Sequence, residues 1–233
     1  MKRYMILGAS RGLGHSFAHG LPKGGDEVIL VSRTEPDMSS LPKEIHPQWI
    51  GADLSKIESI DALKKDVGDK PIDVLIYNAG IWETKRFEET SREDIAAICN
   101  VNFVSALYAV QQFIGNIKAS KLKKIVLVGS TAGLENEGAK SVTYTATKFA
   151  LRGMCHSLRE NYREDGIGIT VLNLGGMATD IAYTQGAQEA LSQYKNTRIP
   201  VDDVINLVKC LISLSPASTI KEIDMPAQFD ADS

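Results

Sequence analysis

A short apolar strand near the start of the chain runs directly into three glycines, and this junction constrains the fold most. The segment Arg3–Leu7 has the aromatic and β-branched residues of a strand, and Gly8, Gly12 and Gly14 follow it. An apolar helical pattern covers 13–21. Such a junction favours phosphate binding, because glycine lets the backbone approach a ligand and the helix N-terminus offers free N–H groups. The alternative is a glycine-rich turn that binds no ligand.

The rest of the chain alternates strand and helix patterns. The predicted strands are Arg3–Leu7, Glu27–Val31, Pro47–Ile50, Ile72–Tyr77, Lys124–Gly129, Gly168–Leu174 and a short one near Ile220–Ile223. The predicted helices cover 12–21, 56–66, 91–117, 143–163 and 201–213. Nearly continuous apolar strands are typical of a parallel sheet that is covered on both faces. This alternation predicts a single-domain α/β protein with a doubly wound parallel sheet over 1–233.

Two local patterns refine this prediction. Ser91 followed three residues later by Asp94 is a variant capping box, which predicts the start of the helix over 91–117. The stretch from Pro36 to Pro47 has no clear pattern, and we interpret it as a surface connection.

The composition is that of an ordinary globular protein. Of 233 residues, 43% are hydrophobic and 24% are charged, and the net charge of −3 disfavours nucleic-acid or anionic-membrane surfaces. The cysteines fit neither a metal site nor a disulfide framework, and the histidines lack metal-ligand spacing; they are Cys99, Cys155, Cys210, His15, His19, His46 and His156. These separated cysteines fit a reducing cytoplasm best. Since the first strand follows Met1 at once and no apolar run approaches the roughly 20 residues of a membrane span, we also expect no signal peptide and no membrane span.

Tyr144 and Lys148 are spaced to share one face of a predicted helix. A free phenol has a pKa near 10 and exchanges protons poorly at neutral pH, whereas an adjacent ammonium favours the phenolate. The pair therefore predicts a proton relay for carbonyl–alcohol chemistry, with a phenol pKa below its usual value. By itself the spacing is also that of a surface tyrosine beside a solvated lysine.

The order of motifs along the chain is more specific than any one of them. The glycine loop Gly8-Ala-Ser-Arg-Gly-Leu-Gly14 is followed by Asp53-Leu54, Asn78-Ala79-Gly80, Asn102, Ser130 and the Tyr144/Lys148 pair. On these motifs the chain resembles the short-chain dehydrogenase/reductase family, from Arg3 to about Thr179 and less clearly beyond. The resemblance implies a Rossmann fold, a nicotinamide cofactor and small carbonyl or alcohol substrates.

The resemblance also implies roles for individual residues. The catalytic set it implies is Asn102, Ser130, Tyr144 and Lys148. The cofactor-binding set it implies is Gly8, Ser10, Arg11, Gly12, Leu13, Gly14, Ser32, Arg33, Asp53, Leu54, Asn78, Ala79, Gly80, Tyr144, Lys148, Gly175, Met177 and Thr179. No metal ligands are implied.

The cofactor choice depends on the end of the second predicted strand. An acidic residue there would accept the ribose hydroxyls of NAD, but the strand ends in Ser32 and Arg33, and Arg11 lies in the glycine loop. Guanidinium groups suit phosphate recognition, so we expect NADP(H), in agreement with basic residues at these places in NADP-preferring members of the family. The alternative is two solvated surface arginines.

Several of these residues have a structural alternative. Asp53 could contact an adenine amino group or cap the helix that begins near Ser55, and Asn78 could support the cofactor loop or only shape a turn. Asn102 lies within an apolar helix, where a buried amide needs partners; a helix kink and the family's water-holding role are compatible. Ser130 could orient a carbonyl oxygen.

The alternative at this position is Thr131, the neighbour of Ser130, with a hydroxyl that only caps a turn.

The chain departs from the family pattern at several positions. Tyr77 replaces the first asparagine of Asn-Asn-Ala-Gly, Leu174 replaces a proline, and 220–228 lacks the usual glycine-rich ending, which puts tetramer contacts of the tail in doubt. A short substrate lid is expected near 180–200. Candidate pocket residues are Trp82, Glu135, Asn136, Tyr183 and Gln185.

The sequence therefore predicts an NADP(H)-dependent oxidoreductase that interconverts a ketone or aldehyde and an alcohol by hydride transfer, with Tyr144 as general acid/base. A non-catalytic NADP(H)-binding sensor on the same fold is the alternative. The length disfavours a third possibility, a nucleotide-sugar epimerase or dehydratase. Apolar residues in 91–117 and 143–163 exceed what one sheet-facing side requires. The matching helices of the family pair across a two-fold axis, so the resemblance implies a homodimer or homotetramer through those helices.

Overall fold

One parallel sheet organises the residues that the computed structural model describes, which are 1–135 and 141–229. Its strands within those ranges are β1 (Arg3–Leu7), β2 (Glu27–Ser32), β3 (His46–Gly51), β4 (Val74–Tyr77), β5 (Lys124–Val128), β6 (Gly168–Leu174) and β7 (Glu222–Met225). They lie in the order β3-β2-β1-β4-β5-β6-β7, and every neighbouring pair is parallel. The predicted doubly wound α/β fold is confirmed.

Helices cover both faces of this sheet. In the described ranges they are α1 (Gly12–Gly20), α2 (Glu58–Val67), α3 (Arg92–Cys99), α4 (Ser105–Lys118), α5 (Val142–Asn161), α6 (Ala187–Tyr194) and α7 (Val201–Ser213). Alternate residues of β1 point to opposite faces, as the strand period of two requires. Met5 and Leu7 join a cluster that includes residues of α2, α4 and α5. Tyr4 and Ile6 join a second cluster with residues of α1 and α7.

The spacing of apolar residues explains why the helices pack as they do. Ile60, Leu63 and Val67 recur at intervals of three and four on α2 and are buried in the first cluster. Burial of one such side chain stabilises the fold by about 1.5–3 kcal/mol. The start of α3 is as predicted, because the side chain of Ser91 accepts the backbone N–H of Asp94 at 3.0 Å.

The structure differs from the sequence prediction along the helix over 91–117. Five residues, Asn100–Val104, form a π turn between α3 and α4. Because the three pieces join, the run from Arg92 to Lys118 is long and apolar enough to cross a membrane by length and composition alone, contrary to the expectation above. In that run, 44% of the most apolar window is buried inside the protein, and core helices of soluble proteins pass the same test.

Other differences lie in the connections. The expected lid contains α6, which was not predicted, and the last strand begins at Glu222 rather than near Ile220. The stretch from Pro36 to Pro47 is more ordered than expected, since it contains a 3-10 turn at Met38–Ser40 and buries Leu41 and Ile45 against the second cluster.

Candidate functional site

A cleft with a volume of about 610 Å³ lies at the carboxyl ends of β1, β2 and β4. In open α/β sheets this edge is where ligands bind. The sequence-predicted residues that line the cleft are Gly8, Ser10, Arg11, Gly12, Leu13, Ser32, Arg33, Asp53, Leu54, Asn78, Ala79, Gly80, Met177 and Thr179. The chain therefore brings together residues from five segments that are far apart in sequence.

The glycine turn is closed by contacts that leave no room for side chains. Gly8 has a φ of +87°, and a Cβ at this position would lie 2.6 Å from the backbone of Ala79. A Cβ on Gly14 would lie 2.0 Å from the carbonyl oxygen of Gly8. The amide of Asn78 donates to that same oxygen at 2.9 Å, so both roles considered for Asn78, turn and support, are combined in one contact.

The N-terminus of α1 opens into the cleft without a side-chain cap. Arg11 is the capping residue, and its side chain makes no capping hydrogen bond. The first N–H groups of a helix have no intrahelical acceptor, and together with the helix dipole they attract anions. Thr179 lies over this end, 3.2 Å from the place of a Cβ on Gly12. This arrangement fits a pyrophosphate group.

The cleft ends in basic groups beyond β2. Arg11 and Arg33 are exposed, and among the described residues neither forms an ion pair. Ser32 is less available than expected, because its hydroxyl donates to the carbonyl of Thr34 at 2.7 Å and lies 3.3 Å from the indole nitrogen of Trp49. The two guanidinium groups remain as the donors for an anion.

Asp53 is engaged within its own turn. One carboxylate oxygen accepts the backbone N–H of Ser55 at 3.1 Å and its hydroxyl at 2.8 Å. Burial opposes ionisation of Asp53, but these hydrogen bonds and the charge of Arg33 outweigh it and lower the pKa of the carboxyl group. The capping alternative is therefore partly realised, although α2 begins three residues later, at Glu58.

Lys148 lies deep beside the cleft, one turn along α5 from Tyr144. Its ammonium donates to the carbonyl of Val128 at 2.9 Å and lies 5.2 Å from the centroid of the Tyr144 ring. Burial lowers the pKa of Lys148 to about 8. A Cβ on Gly80, which lines the cleft, would lie 3.8 Å from the ammonium nitrogen, so the lysine adjoins the cleft wall.

The phenol of Tyr144 has a raised pKa, which is the opposite of the sequence expectation. Burial disfavours the phenolate, and hydrogen bonding with Ser130 only partly offsets this effect. The neighbouring ammonium of Lys148 is bonded to the carbonyl of Val128 instead. At neutral pH, Tyr144 is therefore a neutral phenol that can donate a proton.

The hydroxyl of Ser130 contacts both a backbone turn and Tyr144. Its hydroxyl accepts the backbone N–H of Ala132 at 3.2 Å and so caps the 3-10 turn at Thr131–Gly133, a role considered for Thr131. The same hydroxyl lies near Tyr144, where it affects the phenol pKa. A hydroxyl that accepts from the backbone keeps its own proton to donate.

Asn102 is buried in the π turn and holds the cleft wall. Its amide oxygen accepts the backbone N–H of Ile81, and its amide nitrogen donates to the carbonyl of Ile81, both at 2.8 Å. The amide nitrogen also donates to the hydroxyl of Thr147 at 3.0 Å. The hydroxyl of Thr147 in turn donates to the carbonyl of Tyr144 at 2.7 Å. The expected kink is present as a π turn, and protein groups provide hydrogen-bond partners for the buried amide.

Two further residues at the site were not recognised as functional from the sequence. Tyr77 is fully buried, and its hydroxyl donates to the carbonyl of Val101 at 2.5 Å. That carbonyl lies in the π turn, where the N–H of Ser105 bonds instead to the carbonyl of Asn100. Tyr77 thus supplies a donor to a carbonyl whose usual helical partner is bonded elsewhere; its departure from the family pattern was the available signal.

The second is Glu83, whose carboxylate accepts backbone N–H groups at the start of α5. Burial opposes ionisation of Glu83, but the hydrogen bonds it accepts at this helix end outweigh it and lower its pKa. Nothing in the local sequence signals this contact, because its partners lie 60 and 61 positions away.

Some expected site residues lie elsewhere. Gly14 and Gly175 do not line the cleft: Gly14 packs against the carbonyl of Gly8, and the N–H of Gly175 donates to the carbonyl of Met225, the last residue of β7. Of the candidate pocket residues, Trp82 lines the cleft. Tyr183 instead packs near α1, with its ring 6.4 Å from that of His19, and Gln185 accepts the N–H of Ala182.

Of the two remaining pocket candidates, Glu135 is exposed and is the last residue of the described range 1–135, and Asn136 lies outside the described residues. In the described parts of the chain, no group of three or more His, Cys, Asp or Glu side chains could hold a metal ion.

Comparisons with known proteins agree with this geometry. A family model described as short chain dehydrogenase matches residues 2–190. Gluconate 5-dehydrogenase of Gluconobacter oxydans is 29% identical over 209 residues, which cover 85% of this chain and 80% of that protein.

Solved structures show the same fold. An alcohol dehydrogenase from Thermococcus sibiricus, complexed with 5-hydroxy-NADP, has a TM-score of 0.82 at 23% identity and covers 99% of this chain and 97% of its own. A 4-hydroxyisoleucine dehydrogenase complexed with NADH has a TM-score of 0.79 at 21% identity, with 100% of both chains covered.

Proposed function

The chain belongs to the short-chain dehydrogenase family of oxidoreductases, and we propose that it is an NADP(H)-dependent enzyme that interconverts a ketone or aldehyde and an alcohol. The observation that carries this proposal is the group formed by Tyr144, Ser130 and Lys148, in which Lys148 adjoins the wall of the cleft at Gly80. The open N-terminus of α1 in that cleft fits a pyrophosphate. A nicotinamide cofactor bound in the cleft supplies or accepts the hydride.

The protein moves the proton and places the reacting oxygen. In the direction of reduction, the phenol of Tyr144 donates its proton to the oxygen of the carbonyl group, which becomes the alcohol oxygen. The hydroxyl of Ser130 donates a hydrogen bond to that oxygen and orients it. Lys148, whose ammonium is buried beside the phenol, stabilises negative charge as the proton leaves.

The preference for NADP(H) over NAD(H) is supported by charge at the far end of the cleft. Arg11 and Arg33 are exposed there, and no carboxylate ends β2. A 2′-phosphate would pair with these guanidinium groups, whereas a ribose 2′-hydroxyl would leave them unused. One solved structure compared above is complexed with 5-hydroxy-NADP and the other with NADH, and calorimetry with both cofactors tests the preference of this chain.

A screen of NADPH oxidation against ketones, aldehydes and quinones tests the activity. With a substrate in hand, Tyr144→Phe keeps the ring but removes the proton donor, and we expect turnover to fall by about 10²–10⁴-fold with cofactor binding retained. Lys148→Ala should lower turnover and also weaken the cofactor, because the lysine adjoins the cleft wall beside Gly80.

The matched control for this experiment is Tyr162→Phe. Tyr162 follows the far end of α5 and also has a lysine ammonium over its ring, that of Lys118 at 5.0 Å from the centroid. We expect parent turnover in this variant. Near-parent turnover of Tyr144→Phe would contradict the proposed proton donor. Tight NADPH binding without reduction of any carbonyl compound would favour a non-catalytic sensor.

Assembly is a further part of the proposal. Leu107 and Tyr108 of α4 and Val142 and Phe149 of α5 are exposed large hydrophobic residues. A two-fold pairing of these helices in a homodimer or homotetramer would cover them. Sedimentation that shows only a 25.4 kDa species at micromolar concentration would contradict this.

A further inference from the structure

The first turn of α5 lacks a cap from its own segment. Ser141 occupies the capping position, where serine commonly accepts an N–H of the first turn, but its side chain makes no capping hydrogen bond. The N–H of Thr145 bonds to the carbonyl of Ser141. The preceding N–H groups, those of Thr143 and Tyr144, come too early in the helix to have an intrahelical acceptor.

Glu83 supplies the acceptors for both of these groups. One carboxylate oxygen accepts the N–H of Thr143 at 2.6 Å, and the other accepts the N–H of Tyr144 at 3.2 Å. Hydrogen bonds to an ionised acceptor are roughly twice as strong as neutral ones. The backbone of Tyr144 is therefore held directly by a side chain from another part of the chain.

The segment that carries Glu83 is itself anchored at its other end. Both backbone groups of Ile81 are bonded by the amide of Asn102 in the π turn. Trp82, between the two anchors, lines the cleft. The stretch from Ile81 to Glu83 thus forms a bridge that joins the π turn and the cleft wall to the start of α5.

From these contacts we propose that Glu83 is a positioning residue for Tyr144: it fixes the first turn of α5 so that the phenol stays in register with the cleft wall. This inference rests on the proposed function, because it assigns Glu83 to the proton-donating step. Glu83 acts through the backbone of Tyr144 and not on the substrate. A misplacement of about 1 Å at a reacting group can reduce a rate by about 10²-fold.

Kinetics of two substitutions test the proposal. Glu83→Ala removes both acceptors, and we expect turnover to fall by about 10- to 100-fold while the Kd of NADPH and the KM for substrate stay within about twofold. Glu83→Gln keeps one oxygen acceptor in the same place and should restore part of the lost turnover. The control is Glu89→Ala, which removes an exposed carboxylate of the same loop.

Equal losses in Glu83→Ala and Glu89→Ala would show a general effect of loop charge and would overturn the proposal.

A double-mutant comparison separates positioning of the phenol from a general structural role. If Glu83 acts through the phenol, adding Glu83→Ala to Tyr144→Phe should change the residual turnover by less than about twofold, because the group being positioned is already absent. If the two losses multiply, the proposal is wrong.

Hydrogen exchange gives a readout that needs no substrate. In the parent protein, the amides of Thr143 and Tyr144 should be protected from exchange by Glu83. We expect Glu83→Ala to remove protection at these two amides and leave the middle of α5 unchanged, whereas Glu89→Ala should change neither. Unchanged protection of both amides, or loss along the whole helix, would overturn the positioning role.

If exchange behaves as expected but no carbonyl compound is reduced by the parent protein, the proposed function fails and the structural link between Glu83 and Tyr144 stands. The assignment of Glu83 to a proton-donating step would then be overturned together with the proposed function.

Discussion

Two helices begin at this site, and their N-termini are treated in opposite ways. The start of α1 carries an arginine as its capping residue and has no side-chain cap. The start of α5 is occupied by the carboxylate of Glu83, which accepts two of its N–H groups. Both ends carry the partial positive charge of a helix N-terminus. One end is open to the cleft, and the other is filled by a carboxylate of the protein.

This difference indicates how a helix N-terminus can suit a ligand in one place and hold a side chain of the protein in another. An unfilled N-terminus retains its donors for a phosphate group, as α1 does next to the glycine turn. A filled N-terminus gains stability and loses its affinity for other anions, which suits α5, because Tyr144 lies in its first turn.

The largest expected effect comes from giving α1 the carboxylate that α5 already has. Arg11→Asp places a good capping residue at this helix end and reverses a charge in the cleft. Binding of both NADPH and NADH should weaken by at least about 3 kcal/mol, or roughly a hundredfold, because the carboxylate repels the pyrophosphate. The free protein should become more stable by about 0.5–2 kcal/mol, since the helix gains a cap.

Calorimetry and denaturant unfolding measure these two quantities. Arg11→Asn is the control, because it caps the helix without a negative charge and should stabilise the protein with a smaller loss of cofactor binding. Retained NADH affinity in Arg11→Asp would show that α1 does not hold the pyrophosphate.

A more selective effect is expected at the other arginine of the cleft. Arg33→Ala should weaken NADPH by about 1.5–3 kcal/mol and NADH much less, because only the 2′-phosphate would reach this side chain. Parallel calorimetric titrations of both cofactors measure the difference. Arg163→Ala removes an exposed arginine beyond the far end of α5 and should change neither affinity. Equal affinity of the parent protein for the two cofactors would contradict the proposed preference for NADP(H).

The open end of α1 was predictable from sequence, and the filled end of α5 was not. The strand, the glycines and the start of α1 lie within 12 residues of one another, so the pattern of residue types describes the whole unit. The cap of α3 by Ser91 is equally local and was predicted. Glu83 lies 60 positions from its first partner, and its local sequence carries no sign of the contact.

The same limit explains the other differences at the site. The sequence predicted a low pKa for Tyr144 from its spacing with Lys148, but burial and the bond from Lys148 to Val128 depend on tertiary packing. The π turn around Asn102 was anticipated only as a kink, because its geometry involves the hydroxyl of Tyr77, which lies in strand β4 and is distant in sequence. Residue type indicated candidate groups such as Tyr144 and Asn102, and packing determined what they contact.

A contact of the same long-range kind should have a measurable effect on stability. Tyr77→Phe removes the hydroxyl that donates to the carbonyl of Val101 in the π turn. We expect a loss of about 1–3 kcal/mol in the free energy of unfolding, because a buried carbonyl then loses this partner. Tyr4→Phe is a matched control: Tyr4 is also buried, in the neighbouring strand β1, but its hydroxyl lies 3.5 Å from the carbonyl of Leu21.

Denaturant unfolding of the two variants gives the comparison. The loss in Tyr77→Phe should exceed that in Tyr4→Phe. Equal losses would show that the hydroxyl of Tyr77 contributes no more than a weak hydrogen bond to the π turn.

The smallest expected effect concerns the charge that Glu83 brings to the start of α5. Burial raises the pKa of the Tyr144 phenol. An unfilled helix N-terminus would favour the phenolate, and we expect the carboxylate of Glu83 to offset that influence. In the cofactor-free protein, the absorbance at 295 nm should therefore show that the phenolate of Tyr144 forms at higher pH than that of an ordinary tyrosine, when the parent protein is compared with Tyr144→Phe. Glu83→Gln removes the negative charge and keeps an acceptor, so it should favour the phenolate by about 0.3–1 kcal/mol and shift this titration to lower pH. Because the raised pKa keeps the proton on the phenol, the parent protein should hold the proton-donating form throughout the neutral range. A shift to higher pH in Glu83→Gln would show that the carboxylate influences Tyr144 by some route other than its charge at the helix end, and the contrast between the two helix starts would then lose its electrostatic basis.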